Sequence, residues 1–146
     1  MTDVRPLDSA DVERVTRELG VARLHQGDGF YLVAWEGDEP LGHAHLALTD
    51  PPELQDVQVR PEYRRLGVAS ALTARAEDEA RRRGFDLLRL DVAVDNAPAQ
   101  ALYRKCGYAD AGLAPRRVKG TIEIRTGRIE VDDTLLKWEK RLTDGP

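Results

Sequence analysis

The six residues Arg64-Arg65-Leu66-Gly67-Val68-Ala69 carry the sharpest chemical signal in the sequence. They fall where a strand-like run gives way to a helix-like one, so successive main-chain N–H groups are left without partners at a helix start. Amides in that position bind phosphate, because the helix dipole adds favourable potential and the N–H groups point at the ligand. Gly67 lets a ligand approach the backbone closely, Ser70 belongs to the same first turn, and the two arginines can meet further phosphate oxygens. The segment is neither a Walker loop, whose lysine and hydroxyl it lacks, nor a dinucleotide fingerprint, whose three spaced glycines it lacks.

Other reactive side chains form weaker patterns. His43 and His45 share one strand face but have no third ligand nearby in sequence, and His25 stands alone, so no metal site is expected. Cys106 sits at a helix end without a paired histidine and reads as a small buried hydrophobe. Arg81-Arg82-Arg83 follows Glu77, Asp78 and Glu79 and complements a helix C-terminus on a solvated face.

The elements that must position the phosphate-binding segment read as alternating strands and helices. Asp8 or Ser9 caps a first helix with Val12, Val15 and Leu19 at helical spacing, and Gly20 stops it. Phe30 to Trp35 and Leu41 to Leu48 are antiparallel strands joined by the turn-rich Glu36-Gly37-Asp38-Glu39-Pro40. Glu53 to Val59 is a strand with Glu53, Gln55, Val57 and Val59 on one face, ended by Pro61. A helix between Gly67 and Gly84 is followed by the strand Phe85 to Val94, with Leu88, Leu90, Val92 and Val94 alternating. That crossover makes the two strands parallel. Asp95 or Asn96 caps a short helix with Pro98 in its first turn, ending at Gly107. Thr121 to Val131 and Thr134 to Leu142 are late strands, and GTIEIRTGRIEV is long enough to form an extra hairpin. The fold class is α/β (α+β): a mixed sheet with helices on both faces.

At 146 residues the chain has the length of one domain, 1–146. With 41% hydrophobic and 33% charged residues it is a globular rather than a disordered or fibrous sequence. Lys plus Arg number 22 against 26 Asp plus Glu, a balance that argues against nucleic acid as a partner. A single cysteine forms no internal disulfide, and no run resembles a membrane span or signal peptide, so no membrane partner and a cytoplasmic location are expected.

The frame VQVRPEYRRLGVAS, a helix, then LDVAVDNAPAQALYRKCGY resembles the GNAT superfamily of N-acyltransferases. Arg64, Gly67 and Ala69 match its pyrophosphate-binding pattern, and Asn96 with Tyr103 seven residues on matches its second motif. The motifs span about half the chain, and the remaining elements occur in the family's order. The resemblance implies a mostly antiparallel sheet with a central, splayed parallel pair that admits acetyl-CoA, CoA being the product. It places the phosphates at Arg64, Arg65, Leu66, Gly67, Val68, Ala69 and Ser70. The pantetheine arm would lie along the backbone of Val57, Gln58 and Val59, as an added strand. The Val59 amide would donate to the thioester carbonyl, and Asn96 would bond the arm or an ordered water.

By the same resemblance Tyr103 is the general acid for the departing thiolate. Glu53, fourteen residues before Gly67, and Asp91, five before Asn96, occupy two alternative base positions, while other members use a water chain. All three routes stay open. The implied reaction is direct attack of an amine, on a small molecule or a peptide, on acetyl-CoA. A different acyl-CoA-dependent transfer, or an inactive CoA-binding module, are the other readings. Dimerisation, common in the family, has no sequence signature here. Only about ten residues separate Gly20 from Phe30, where relatives often have a second helix, and the acceptor's identity is therefore open.

Overall fold

A computed structural model describes residues 2–19, 29–124 and 127–142. In chain order the elements are β1 (Asp3–Pro6), a 3₁₀ turn leading into α1 (Val12–Leu19), β2 (Gly29–Glu36), β3 (Glu39–Ala47) and β4 (Glu53–Val59). There follow α2 (Val68–Arg82), β5 (Leu87–Ala93), α3 (Ala97–Lys105), β6 (Ala109–Asp110), β7 (Arg116–Ile124) and β8 (Gly127–Arg141). The eight-stranded sheet has the order β1-β2-β3-β4-β5-β8-β6, with β7 also paired to β8. Every pairing is antiparallel except β4 with β5. No described helix is long and apolar enough to cross a membrane.

The alternation of strand side chains sorts the core into two layers. Leu32, Ala34, Leu46, Leu54, Leu88 and Leu90 pack on one face against Val68, Leu72, Ala76 and Ala80 of α2 and Tyr103 of α3. Val33 and Trp35 pack on the other against Val15 of α1. The helices thus cover both faces, as expected. Asp8 caps the 3₁₀ turn by accepting from the Ala10 N–H, and Asn96 caps α3 by accepting from Ala99 at 3.2 Å. Gly20, His25 and the short link they occupy lie outside the described residues.

Four expectations are corrected. Glu53, Gln55, Val57 and Val59 do not share one face: Gln55 pairs with His45 and Gln58 with His43, while Val59 pairs with Gly42. Two residues, Asp56 and Val57, therefore oppose Ala44, and this bulge reverses the alternation. Val94 lies beyond β5 and is 48% exposed. Leu48 lies beyond β3. The late strands do not divide at Asp132-Asp133; β8 runs unbroken, because β7 begins at Arg116 and its basic residues Arg117 and Lys119 lie beside and opposite that acidic pair.

His43 and His45 are buried strand histidines in edge-on contact with Tyr31, at ring separations of 5.6 and 5.1 Å. Burial lowers the His43 pKa from 6.5 to about 4, against a hydrogen bond with the Asp56 backbone that raises it. The folded chain thus prefers neutral His43, a stabilisation present above pH 6.5 and lost as pH falls toward about 4. Over that window it is worth up to roughly 3 kcal/mol. Chemical denaturation of His43→Gln at pH 7 and pH 4.5 should reveal a smaller acid-induced loss of stability than in wild type. Equal losses would contradict this assignment.

Candidate active site

The β4–β5 ladder consists of Glu53 with Arg89 and Leu54 with Leu90, and it stops there. Immediately beyond lies the bulge, where Asp56 holds φ at 52°, a left-handed conformation unusual for a residue with a side chain. The bulged strand turns away from β5. The Arg60 N–H donates to the Leu41 carbonyl at 2.9 Å, which makes these two a hydrogen-bonded pair across β3 and β4. By antiparallel alternation the main chain of Gln58 then faces β3, while the N–H of Val59 points away from β3 into the opened gap. The Val59 carbonyl accepts from Arg64 Nε at 3.2 Å. Of the three residues expected to present backbone to a ligand, Gln58 has its polar groups turned to β3.

The helix start has the expected form. Gly67 caps α2 with φ 84°, and Arg65 also takes a left-handed φ of 65°. The first helical bond is Ala71 N–H to the Gly67 carbonyl, so Val68, Ala69 and Ser70 keep amides without helical partners. A Cβ at Gly67 would meet no atom within 4 Å, so ligand atoms can reach the backbone there. These amides open on a cavity of about 600 Å³ whose other wall is the divergent part of β4, Val57 to Val59. Arg64 and Arg65 stand at its edge. Leu66 is not among its lining residues and is 69% exposed.

A second cavity, of about 570 Å³, lies between β4 and β5 and is bordered by Glu53, Asp56, Asp91, Asn96 and Arg116. The cavities have Val57, Ala99 and Tyr103 in common. Glu53 and Asp91, far apart in sequence, thus share one chamber, and Asn96 borders it rather than the first. Lys137 joins the two carboxylates, donating to Glu53 Oε2 at 3.0 Å and to Asp91 Oδ1 at 2.9 Å. Arg116 donates to the other Asp91 oxygen at 3.1 Å. Burial disfavours the charge on Lys137, yet its bonds to Asp91 and Glu53 outweigh that and raise its pKa.

Tyr103, on α3, is 9% exposed and stands where the chambers meet. Burial, aided by nearby Cys106, pushes its pKa up to about 12, so the phenol is neutral and available as a donor. Its ring meets Tyr108 edge-on at 6.0 Å. Sequence reasoning missed Lys137 and Arg116, because only the pairing of Asp91 with Lys137 across β5 and β8 brings residues so distant together. It also missed Pro98, Leu102 and Lys105 of α3, which line the first cavity. Their mutual spacing of four and three residues, which puts them on one helix face, was a usable signal.

Residues 3–108 match the acetyltransferase (GNAT) family profile. Over 68 residues the chain is 40% identical to streptothricin acetyltransferase of Streptomyces lavendulae, covering 47% of this chain and 36% of that protein. Over 64 residues it is 39% identical to the ribosomal protein bS18-alanine N-acetyltransferase of Escherichia coli K12, covering 44% and 43%. The chain therefore spans less than half the length of these relatives. The crystal structure of the ribosomal-protein-S18-alanine N-acetyltransferase from Escherichia coli superposes with a TM-score of 0.73 at 20% identity, covering 100% of this chain and 97% of that one. A putative streptothricin acetyltransferase from Bacillus anthracis, solved with acetyl coenzyme A, gives 0.73 at 14% identity over 97% and 99%. With the profile extending over most of the sequence and the splayed parallel pair in place, the chain belongs to the GNAT acetyltransferase family.

Proposed function

We propose that this chain transfers an acetyl group from acetyl-CoA to an amine by direct attack, without a covalent enzyme intermediate. The observation that carries this reading is the meeting of two chambers at Tyr103, one headed by unpaired helix amides and the other walled by carboxylates. The first fits a CoA ester: Val68, Ala69 and Ser70 offer amides and Arg64 and Arg65 offer charge to a diphosphate. The gap beside Val57 and Val59 accepts an amide-bearing arm as a strand would be accepted. Bound there, acetyl-CoA supplies an activated acyl thioester. The carboxylates of the second chamber suit a positively charged amine acceptor. The relatives are named for unlike acceptors, an antibiotic and a ribosomal protein, so the proposal stops at the amine.

Each residue then has a task that its surroundings define. The Val59 N–H donates to the thioester carbonyl, a contribution typically worth 10² to 10³ in rate. Glu53 receives the amine's proton in preference to Asp91, because among the described residues one cation, Lys137, holds Glu53 whereas two, Lys137 and Arg116, hold Asp91. Tyr103 hydrogen-bonds the sulfur. Complete proton transfer from a phenol near pKa 12 to a thiolate near ~8.5 runs uphill by about 5 kcal/mol, so the phenol stabilises the leaving group without giving up its proton outright. Asn96, besides capping α3, borders the acceptor chamber and can orient a water there.

Calorimetry with acetyl-CoA should give binding that weakens at least tenfold in Gly67→Glu, where a carboxylate faces the diphosphate; unchanged affinity would refute the phosphate assignment. Tyr103→Phe should lower kcat by about 10²-fold, near the low end for acid catalysis, with little change in KM for acetyl-CoA. Thiol release over a panel of amines, amino acids, polyamines and peptides provides the assay. At neutral pH Glu53→Gln should lower kcat/KM by about 10²-fold. Its rate should rise about tenfold per pH unit up to the pKa of the amine. Asp91→Asn should retain most activity, and the reverse order would assign the base to Asp91.

A further inference from the structure

The bulge in β4 needs an external hold. Asp56 carries a side chain at φ 52°, a conformation that persists only where surroundings impose it. The side chain that meets the bulge comes from the neighbouring strand. His43 is 2% exposed, lies two residues before His45 on β3, and flanks the register shift that produces the bulge. Its ring is hydrogen-bonded to the Asp56 backbone in the sense that favours the protonated ring, so the ring is the donor and the Asp56 carbonyl the acceptor. Among the described residues Nδ1 has no partner, which assigns the donated proton to Nε2. The donor is itself fixed: Tyr31 meets the ring at 5.6 Å and 72°.

We propose that His43 is a positioning residue: its Nε2–H holds the Asp56 carbonyl, keeps β4 bulged, and so aims the Val59 N–H into the gap beside β5. This rests on the reading that the gap takes the arm of acetyl-CoA. The ring lines neither chamber and reaches the wall of the second through the Asp56 main chain, so it acts on the site through the backbone. It also explains why a histidine, rather than an aliphatic residue, occupies a buried site beside Tyr31 and Val33. An apolar side chain would fill the volume but remove the ring's bond to the Asp56 main chain.

The experiment compares acetyl-CoA binding by calorimetry in the wild type, His43→Gln and His43→Leu, each checked by a thermal melt. Gln presents an N–H at about the reach of Nε2, and Leu keeps the volume without a donor. The expected result is affinity within about threefold of wild type for His43→Gln and a loss of at least tenfold for folded His43→Leu. A purely structural role would lower the melting temperature of His43→Leu while leaving its affinity for acetyl-CoA intact, and that result overturns the inference. Should His43→Leu fail to fold, ¹⁵N spectra of the wild-type imidazole decide. Protonation at Nε2 with a scalar coupling to the Asp56 carbonyl supports the proposal, and an Nδ1–H tautomer or a missing coupling overturns it. Wild-type protein that does not bind acetyl-CoA removes the underlying reading as well; wild-type binding with an insensitive His43→Leu removes only this one.

Discussion

The two-residue parallel ladder between β4 and β5 is the constraint from which the rest of the site follows. Pairing at Glu53 and Leu54 sets the two strands side by side, and its end at the bulge makes them part. A sheet interior normally leaves no main-chain donor unused, since an unpaired buried amide costs about 1–3 kcal/mol. Here the sheet withholds pairing at its centre, not its edge, where flanking strands and two helices enclose the opening. The gap therefore has strand-like hydrogen-bonding capacity with no strand to fill it. An extended molecule bearing amides satisfies that capacity, and a solvent-exposed edge would offer the same groups without fixing their direction.

Charge is partitioned between the chambers by secondary structure. The helix start and two arginines make the first chamber electropositive, although the chain as a whole has a formal charge of -4. The second collects Glu53, Asp56 and Asp91, and Lys137 is placed against two of them from β8. Tyr103 separates these fields as a neutral group, held so by burial. A donor that stays neutral at the boundary neither repels an anion on one side nor pairs with a cation on the other.

The helix start at Gly67 was legible because it is local: Gly67, the helix formers after it and the preceding arginines lie in one short stretch, and their geometry follows from sequence-adjacent rules. The strands Glu53–Val59 and Leu87–Ala93 were legible from their alternation. What escaped was what pairing alone creates. The bulge at Asp56 has no glycine or proline to announce it, so four residues were assigned one face that the register then divides. Lys137 lies 84 positions from Glu53, and nothing local to either residue points to the other. The uninterrupted β8 was hidden for a related reason: Asp132 and Asp133 look like a break until the basic residues of β7 are placed beside them.

The Lys137 bridge sets a limit on how the site can handle protons. Both candidate bases already accept from the Lys137 ammonium, so an arriving proton must displace that contact. For an amine of pKa ~10.4 at pH 7, deprotonation costs ~4 kcal/mol, whereas an α-amino group near 7.8 needs about 1 kcal/mol. The same bridge sets Glu53 and Asp91 on either side of one ammonium, where a cationic acceptor would compete with Lys137 for their oxygens. Under the proposed reaction, capture of a charged amine and release of its proton are thus opposed demands on the same two carboxylates.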